Sequence, residues 1–334
     1  MTVLIAVAAV ILIALFFDFV NGFHDTANAI ATVVSTRVLT PFQAVLMAAF
    51  MNFVGVFIFG VSIALTIGKG IIDPSVVNIT IIFAALVGAV IWNLITWYWG
   101  LPSSSSHALV GGLIGATIVG VGNLNAIVWD GVLKTFAFIF VAPILGFIGS
   151  VFFTIIILSV FKKFSPLKVN SYFRKLQLVS ASFYAMGHGT NDAQKTMGLI
   201  TVLLFSEGLI STFDVPFWVI IAAYGAISIG TFAGGWRIVK TMGSKITKLR
   251  PVDGFCAETA GGFVLLGTAH FGIPVSTTHV IAGSIMGTGS VKRGSSVRWI
   301  VARKILYAWL FTIPCAAFFA ALTLVLTKFA ISFL

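Results

Sequence analysis

Residues 100–115 read Gly100-Leu-Pro-Ser-Ser-Ser-Ser-His-Ala-Leu-Val-Gly-Gly-Leu-Ile-Gly115, and residues 272–287 read Gly272-Ile-Pro-Val-Ser-Thr-Thr-His-Val-Ile-Ala-Gly-Ser-Ile-Met-Gly287. Pro102 aligns with Pro274, His107 with His279, Gly111 with Gly283 and Gly115 with Gly287. A second pair of stretches lies upstream: Phe19-Val-Asn-Gly-Phe-His-Asp-Thr-Ala-Asn-Ala29 and Tyr184-Ala-Met-Gly-His-Gly-Thr-Asn-Asp-Ala-Gln-Lys-Thr196. Asp25 precedes His107 by 82 residues, and Asp192 precedes His279 by 87. Two ordered pairs at nearly equal spacing establish an internal duplication.

The chain around these motifs is made for a bilayer. Of its 334 residues 59% are hydrophobic and 9% charged, against roughly 45–50% and 25% in soluble domains. Mean hydropathy is +1.11. So few charges cannot cover a soluble surface, which excludes a water-soluble enzyme, and so apolar a chain is not disordered. Ile79–Val90 and Phe147–Val160 are apolar on every side, the pattern of helices and not of alternating barrel strands. Met1–Phe17 lacks the basic start and cleavage site of a signal peptide and reads as the first membrane helix. Apolar segments fall at about 2–20, 26–36, 42–68, 76–99, 103–121 and 131–161, then at 176–188, 192–205, 215–238, 254–272, 274–291 and 300–332. The expectation is an all-α polytopic membrane protein: a first repeat over 1–161, a basic connector over 162–175 and a second repeat over 176–334.

The net charge of +11 is not a nucleic-acid signature, because the basic residues are grouped at the ends of apolar runs. They cluster as Lys162, Lys163, Lys168, Arg174 and Lys175; as Arg237, Lys240, Lys245, Lys248 and Arg250; and as Lys292, Arg293, Arg298, Arg303 and Lys304. Placing these and Arg37 in the cytoplasm puts 16 of the 20 basic residues inside. The first half then starts outside and the second inside, so the repeats are inverted, with both chain termini outside a cell membrane. The polar tips after Pro102 and Pro274 favour paired re-entrant hairpins over full spans. Cys256 and Cys315 lie in apolar surroundings and indicate neither a disulfide nor a thiolate metal site.

Asp25 and Asp192 lie inside apolar segments, where an ionised carboxylate costs at least about 2.5–3.5 kcal/mol. The flanking Gly and Asn predict a broken helix with free carbonyls. Carboxylate, carbonyl and Asn oxygens suit a hard cation such as Na⁺, and a carboxylate alone suits a proton; the plainer reading is a helix cap. The tips Ser103–Ser106 and Ser276–Thr278 place hydroxyls and free N–H groups at helix starts, a seat for an oxyanion. Capping alone needs one hydroxyl per tip. Lys195 falls one helical face from Asp192 and either pairs with it or adds charge for the anion. Glu258 is an acid within an apolar run, read either as functional or as a membrane-edge residue near Arg250. His24, His107, His188 and His279 flank the motifs, as proton shuttles or as neutral groups bonded to backbone. Gly111/Gly115 and Gly283/Gly287 have the spacing of close helix packing.

These four motifs, in this order over nearly the whole chain, resemble the inorganic phosphate transporter (PiT) family in its short prokaryotic form. The resemblance implies inward symport of inorganic phosphate with Na⁺ or H⁺, no other cofactor, and a homodimer. By position, Asp25, Asn28, Asn191 and Asp192 would serve cation coupling, together with Asn21 and Glu258. Asp25 and Asp192 would ligate the metal if it is Na⁺. Ser104, Ser105, Ser106, Ser276, Thr277 and Thr278 would hold phosphate, with Gln194 and Lys195 beside them. Gln194-Lys195 departs from the Ala-Asn of the first repeat, against a symmetric pair of cation sites. A sulfate symporter is the alternative. An intramembrane Ser–His–Asp hydrolase needs one constellation and not a duplicated one. Acids at broken helices point to bound ions and not to an open channel.

Overall fold

The computed structural model describes residues 2–57, 60–292 and 294–333. Arg293 of the third basic cluster, Ile58 and Phe59 of the segment at 42–68, and Met1 and Leu334 of the two repeats lie outside the described residues. The first half folds as α1 (Thr2–Ser35), α2 (Pro41–Val54), α3 (Ser62–Gly70), α4 (Ile79–Trp99), α5 (Ser105–Val121) and α6 (Trp129–Val160). The second folds as α7 (Pro166–Ser206), α8 (Phe217–Ala233), α9 (Trp236–Lys240, continued by a π turn to Lys245), α10 (Pro251–His270), α11 (Thr277–Lys292) and α12 (Trp299–Ile331). Among the described residues α1, α4, α6 and α12 are long and apolar enough to cross a membrane, and the bent pairs α2–α3 and α8–α9 bring the spans to six.

The polar stretches do not break their helices. Helix α1 continues through Asn21–Ala29 and α7 through Tyr184–Thr196, so four expected segments merge into two. The glycines serve close approach instead. A Cβ on Gly22 would lie 2.1 Å from the Ile227 carbonyl oxygen of α8, and one on Gly189 2.6 Å from the Asn52 carbonyl oxygen of α2. Backbone groups removed from water keep their partners inside the helix, and Thr26 and Thr190 add bonds back to the Gly22 and Met186 carbonyls at 2.7 and 2.9 Å. The breaks fall in the segments at 42–68 and 215–238, where α2–α3 turns through 86° and α8–α9 through 62°. Helix α7 starts at Pro166, so most of the basic connector is helical.

The serine-rich motifs form two hairpins of like construction, α4–α5 and α10–α11. Gly100 and Gly272 end the first arms with φ of 64° and 65°, a left-handed conformation that glycine adopts without strain. The next amides then bond back to matched carbonyls, Leu101 to Thr96 and Ile273 to Thr268, both at 2.9 Å. The second arms cross to the other half. Gly111 and Gly115 seat α5 on Ile313 and Ala317 of α12, and Gly283 and Gly287 seat α11 on Pro143 and Phe147 of α6, as their spacing predicts.

Basic residues of the three clusters and Arg37 gather at one end. Arg174 donates to the Arg37 carbonyl at 2.8 Å, Lys162 and Arg250 line one groove, and Lys292 donates to the Lys248 carbonyl at 3.1 Å. Between the ends, large apolar side chains face outward, such as Ile144, Ile148, Phe152 and Ile155 on α6. So broad an apolar exterior is tolerable only against lipid. Polar side chains collect where α1 and α7 pass the two hairpin tips.

Candidate functional site

The tips meet inside the bundle. The His107 and His279 rings lie 4.8 Å apart, edge to face, and His279 stacks on Trp309 at 3.9 Å. One hydroxyl per tip acts as the cap: the Ser104 Oγ accepts from the His107 amide at 3.2 Å and the Ser276 Oγ from the His279 amide at 3.3 Å. The Ser103 hydroxyl donates to Thr96 at 2.8 Å, which leaves Ser105, Ser106, Thr277 and Thr278 for other work. All four are buried, and the Ser105 Oγ has no hydrogen-bond partner.

Helices α1 and α7 bring the paired carboxylates to these hydroxyls. Thr278 donates to Asp25 at 3.4 Å and Thr277 to Asp192 at 3.3 Å. The Asn28 amide donates to Thr278 at 2.8 Å and to Thr277 at 3.2 Å. Lys195, which occupies the position of Asn28 in the second half, donates to Ser106 on the first tip, to the Val275 carbonyl at 3.1 Å and to Asp192. Each half therefore reaches the opposite hairpin from the matched position, once with an amide and once with an ammonium.

Asp25 is 2%, Asp192 0% and Lys195 1% exposed, so the cluster is closed to solvent. A buried charge is tolerated only when paired and hydrogen-bonded. Asp192 has Lys195, within bonding distance, and the His188 Nε2 at 3.3 Å. Asp25 has the His24 Nδ1 at 2.6 Å, held in turn by Thr96 at 3.1 Å. Asp25, His188 and Asp192 each offer a ligand atom within 4.8 Å of the others. The Oδ1 atoms of Asn28, Asn191 and Asn21 are buried without partners. An unpartnered buried amide oxygen next to a carboxylate fits a hard cation, which binds oxygen.

Two expected members stand apart. The Gln194 Oε1 accepts from the Ile63 amide at 2.9 Å, near the start of α3, and so ties α7 to that helix. Glu258 is fully buried and bonded by Gln177 at 3.0 Å and by Ser180. Ser180 precedes Asp192 by twelve residues of one helix, about 18 Å, which separates Glu258 from the tips. Arg250 bonds Asp253 instead. From sequence His188 reads only as a proton shuttle or a neutral group bonded to backbone, and Asn52 is not singled out. His188 precedes Asp192 by one helical turn, a signal in the spacing. Asn52, which meets the His188 Nδ1 at 3.2 Å and Thr231 at 2.8 Å, has only its polarity in an apolar run to mark it.

Residues 21–320 match the sequence pattern of a family described as the phosphate transporter family. A probable low-affinity inorganic phosphate transporter of Rhizobium meliloti (strain 1021) is 56% identical over 313 residues, covering 93% of each chain. One from Bacillus subtilis (strain 168) is 45% identical over 323 residues, covering 96% of each. A solved structure titled "The sodium-dependent phosphate transporter" superposes with a TM-score of 0.85 at 27% identity, over 98% of this chain and all of that one.

Proposed function

The chain belongs to the phosphate transporter family, and from that premise we propose that it imports inorganic phosphate by symport with a monovalent cation, Na⁺ or H⁺. The observation that carries this reading is the convergence of both hydroxyl-bearing tips on Asp25 and the Asp192–Lys195 pair in one closed cluster. Ser105, Ser106, Thr277 and Thr278, with the N–H groups that begin α5 and α11, hold the anion, and the helix dipoles favour negative charge there. Hydroxyls accept as well as donate, which suits an oxyanion that retains a proton. The relatives are named as transporters, in keeping with the expectation that the chain is not an enzyme.

The coupling cation sits at Asp25, with the free Asn28 Oδ1 as a second ligand. At Asp192 the Lys195 ammonium takes the cation's place. A dianion entering a cell at −100 mV faces about 4.6 kcal/mol; two co-transported cations cancel that charge, and a third makes the potential drive uptake. Glu258, with Gln177 and Ser180, offers a further cation seat towards the basic end. The crosswise packing of α5 on α12 and α11 on α6 supports inverted repeats that rock about the tips. The gathered basic residues support a cytoplasmic basic end in the cell membrane. The homodimer rests on the family resemblance.

The test is radiolabelled phosphate uptake into proteoliposomes under Na⁺ or pH gradients, with sulfate as competitor. Accumulation driven by a cation gradient is expected. Uptake that ignores both gradients overturns the symport reading, and equal competition by sulfate overturns phosphate selectivity.

A further inference from the structure

The mechanism so far leaves one acid of α1 unused. Asp18 lies two turns before Asp25 on the same helical face. It is fully buried, and neither carboxylate oxygen has a hydrogen-bond partner. A carboxylate in that state is costly, and its surroundings answer the cost in a particular way. Asn21 from the next turn and Thr196 from α7 flank it. Tyr224 of α8 lies within electrostatic reach of it. The Asn21 Oδ1, the Thr196 Oγ1 and the Tyr224 OH are themselves buried without partners. Asp18, Asn21 and Thr196, from two helices, thus hold unpartnered buried oxygens beside one another, with the Tyr224 oxygen of a third helix in the neighbourhood.

The nearest cation does not serve Asp18. The Lys195 ammonium is committed to Asp192, Ser106 and the Val275 carbonyl. The backbones leave little room for rearrangement, since a Cβ on Gly230 of α8 would lie 2.0 Å from the Phe19 carbonyl oxygen beside Asp18.

We propose that Asp18, Asn21, Thr196 and Tyr224 form a further monovalent-cation site of the Na⁺ class, separate from the seats at Asp25 and Glu258. This deepens the symport reading and rests on it for its role in transport. The ligands are all oxygen and carry a single negative charge, which matches a hard monovalent ion better than a divalent one. The site lies on the Asp25 side of the tips away from Glu258, so one ion would be held at each approach to the cluster. Filling it links the three helices that enclose the cluster and favours the closed arrangement.

Equilibrium binding of ²²Na⁺ to the purified, detergent-solubilised full chain, without phosphate, tests the site directly. Asp18→Asn keeps the side chain's shape and should bind one Na⁺ fewer per chain than the unaltered protein. Tyr224→Phe removes one oxygen and should weaken that Na⁺ about tenfold, while Asp18→Glu should restore the count. An unchanged Na⁺ count in Asp18→Asn, or no Na⁺ binding by the unaltered chain, overturns the proposal. If Asp18→Asn unfolds, the Tyr224→Phe titration decides alone, and an unchanged Na⁺ affinity in it overturns the proposal too. Phosphate uptake by the unaltered chain is scored separately, so failure of the phosphate reading leaves the Na⁺ count standing.

Discussion

Replacing Lys195 by Asn gives the second half the residue that the first half carries at Asn28. The substitution removes a 1% exposed ammonium bonded to Asp192, Ser106 and the Val275 carbonyl, and leaves Asp192 fully buried with only His188 and Thr277 beside it. Removing one partner of a buried ion pair costs about 3–5 kcal/mol, because the other charge stays buried and uncompensated. That is about two to three and a half powers of ten in the folded-to-unfolded ratio. If the ammonium substitutes for a bound cation, an added cation should make good much of the loss. Na⁺ at about 100 times its Kd would return roughly 2.7 kcal/mol. The assay is thermal unfolding of the purified chain in Na⁺ and in choline at one fixed pH, so that protonation does not change between arms. We expect the variant to lose about 3–5 kcal/mol of stability in choline and to regain much of that in Na⁺. Phosphate uptake by the variant should depend on cation concentration more steeply, by one ion. A variant as stable as the parent in choline would show that Lys195 does not compensate Asp192. A loss that Na⁺ does not relieve would show that the ammonium is no stand-in for a cation.

Ser105→Ala with Thr277→Ala should abolish phosphate binding while the chain still folds, because the caps at Ser104 and Ser276 are untouched; unchanged phosphate affinity in the purified double variant refutes this. Arsenate should compete well for uptake and sulfate poorly, since sulfate has no proton to donate and a site built on a substrate's hydrogen bonds rejects analogues that lack them. Asp25→Asn should remove accumulation of phosphate against a gradient, and phosphate binding should weaken with it because linkage is reciprocal; concentrative uptake with the parent's cation dependence would make Asp25 a structural acid. Asp192→Asn leaves Lys195 buried without its counter-ion, so it should lower stability by about 3–5 kcal/mol, read by thermal unfolding, as well as stop uptake.

What the sequence determined by itself follows from rules that act locally. A chain with 9% charged residues can only be solvated by lipid. Matched motifs at matched spacing mark the duplication, and an acid inside an apolar run is too costly to be idle. Asp25, Asp192, Lys195 and the two tips were therefore legible before any fold was known. Tertiary structure decided the questions whose answers depend on a neighbour far along the chain. A glycine within a helical segment either breaks it or lets another backbone approach, and Gly22 takes the second course because the Ile227 carbonyl fills the space its Cβ would need. Four hydroxyls in a row look alike, yet Ser104 is a cap and Ser106 a partner of Lys195, since only one can reach the amide of His107 while the other faces α7. Asp18 shows the same dependence: whether a carboxylate is satisfied is set by the groups that α7 and α8 bring near it, roughly two hundred residues along the chain, and no local pattern encodes them.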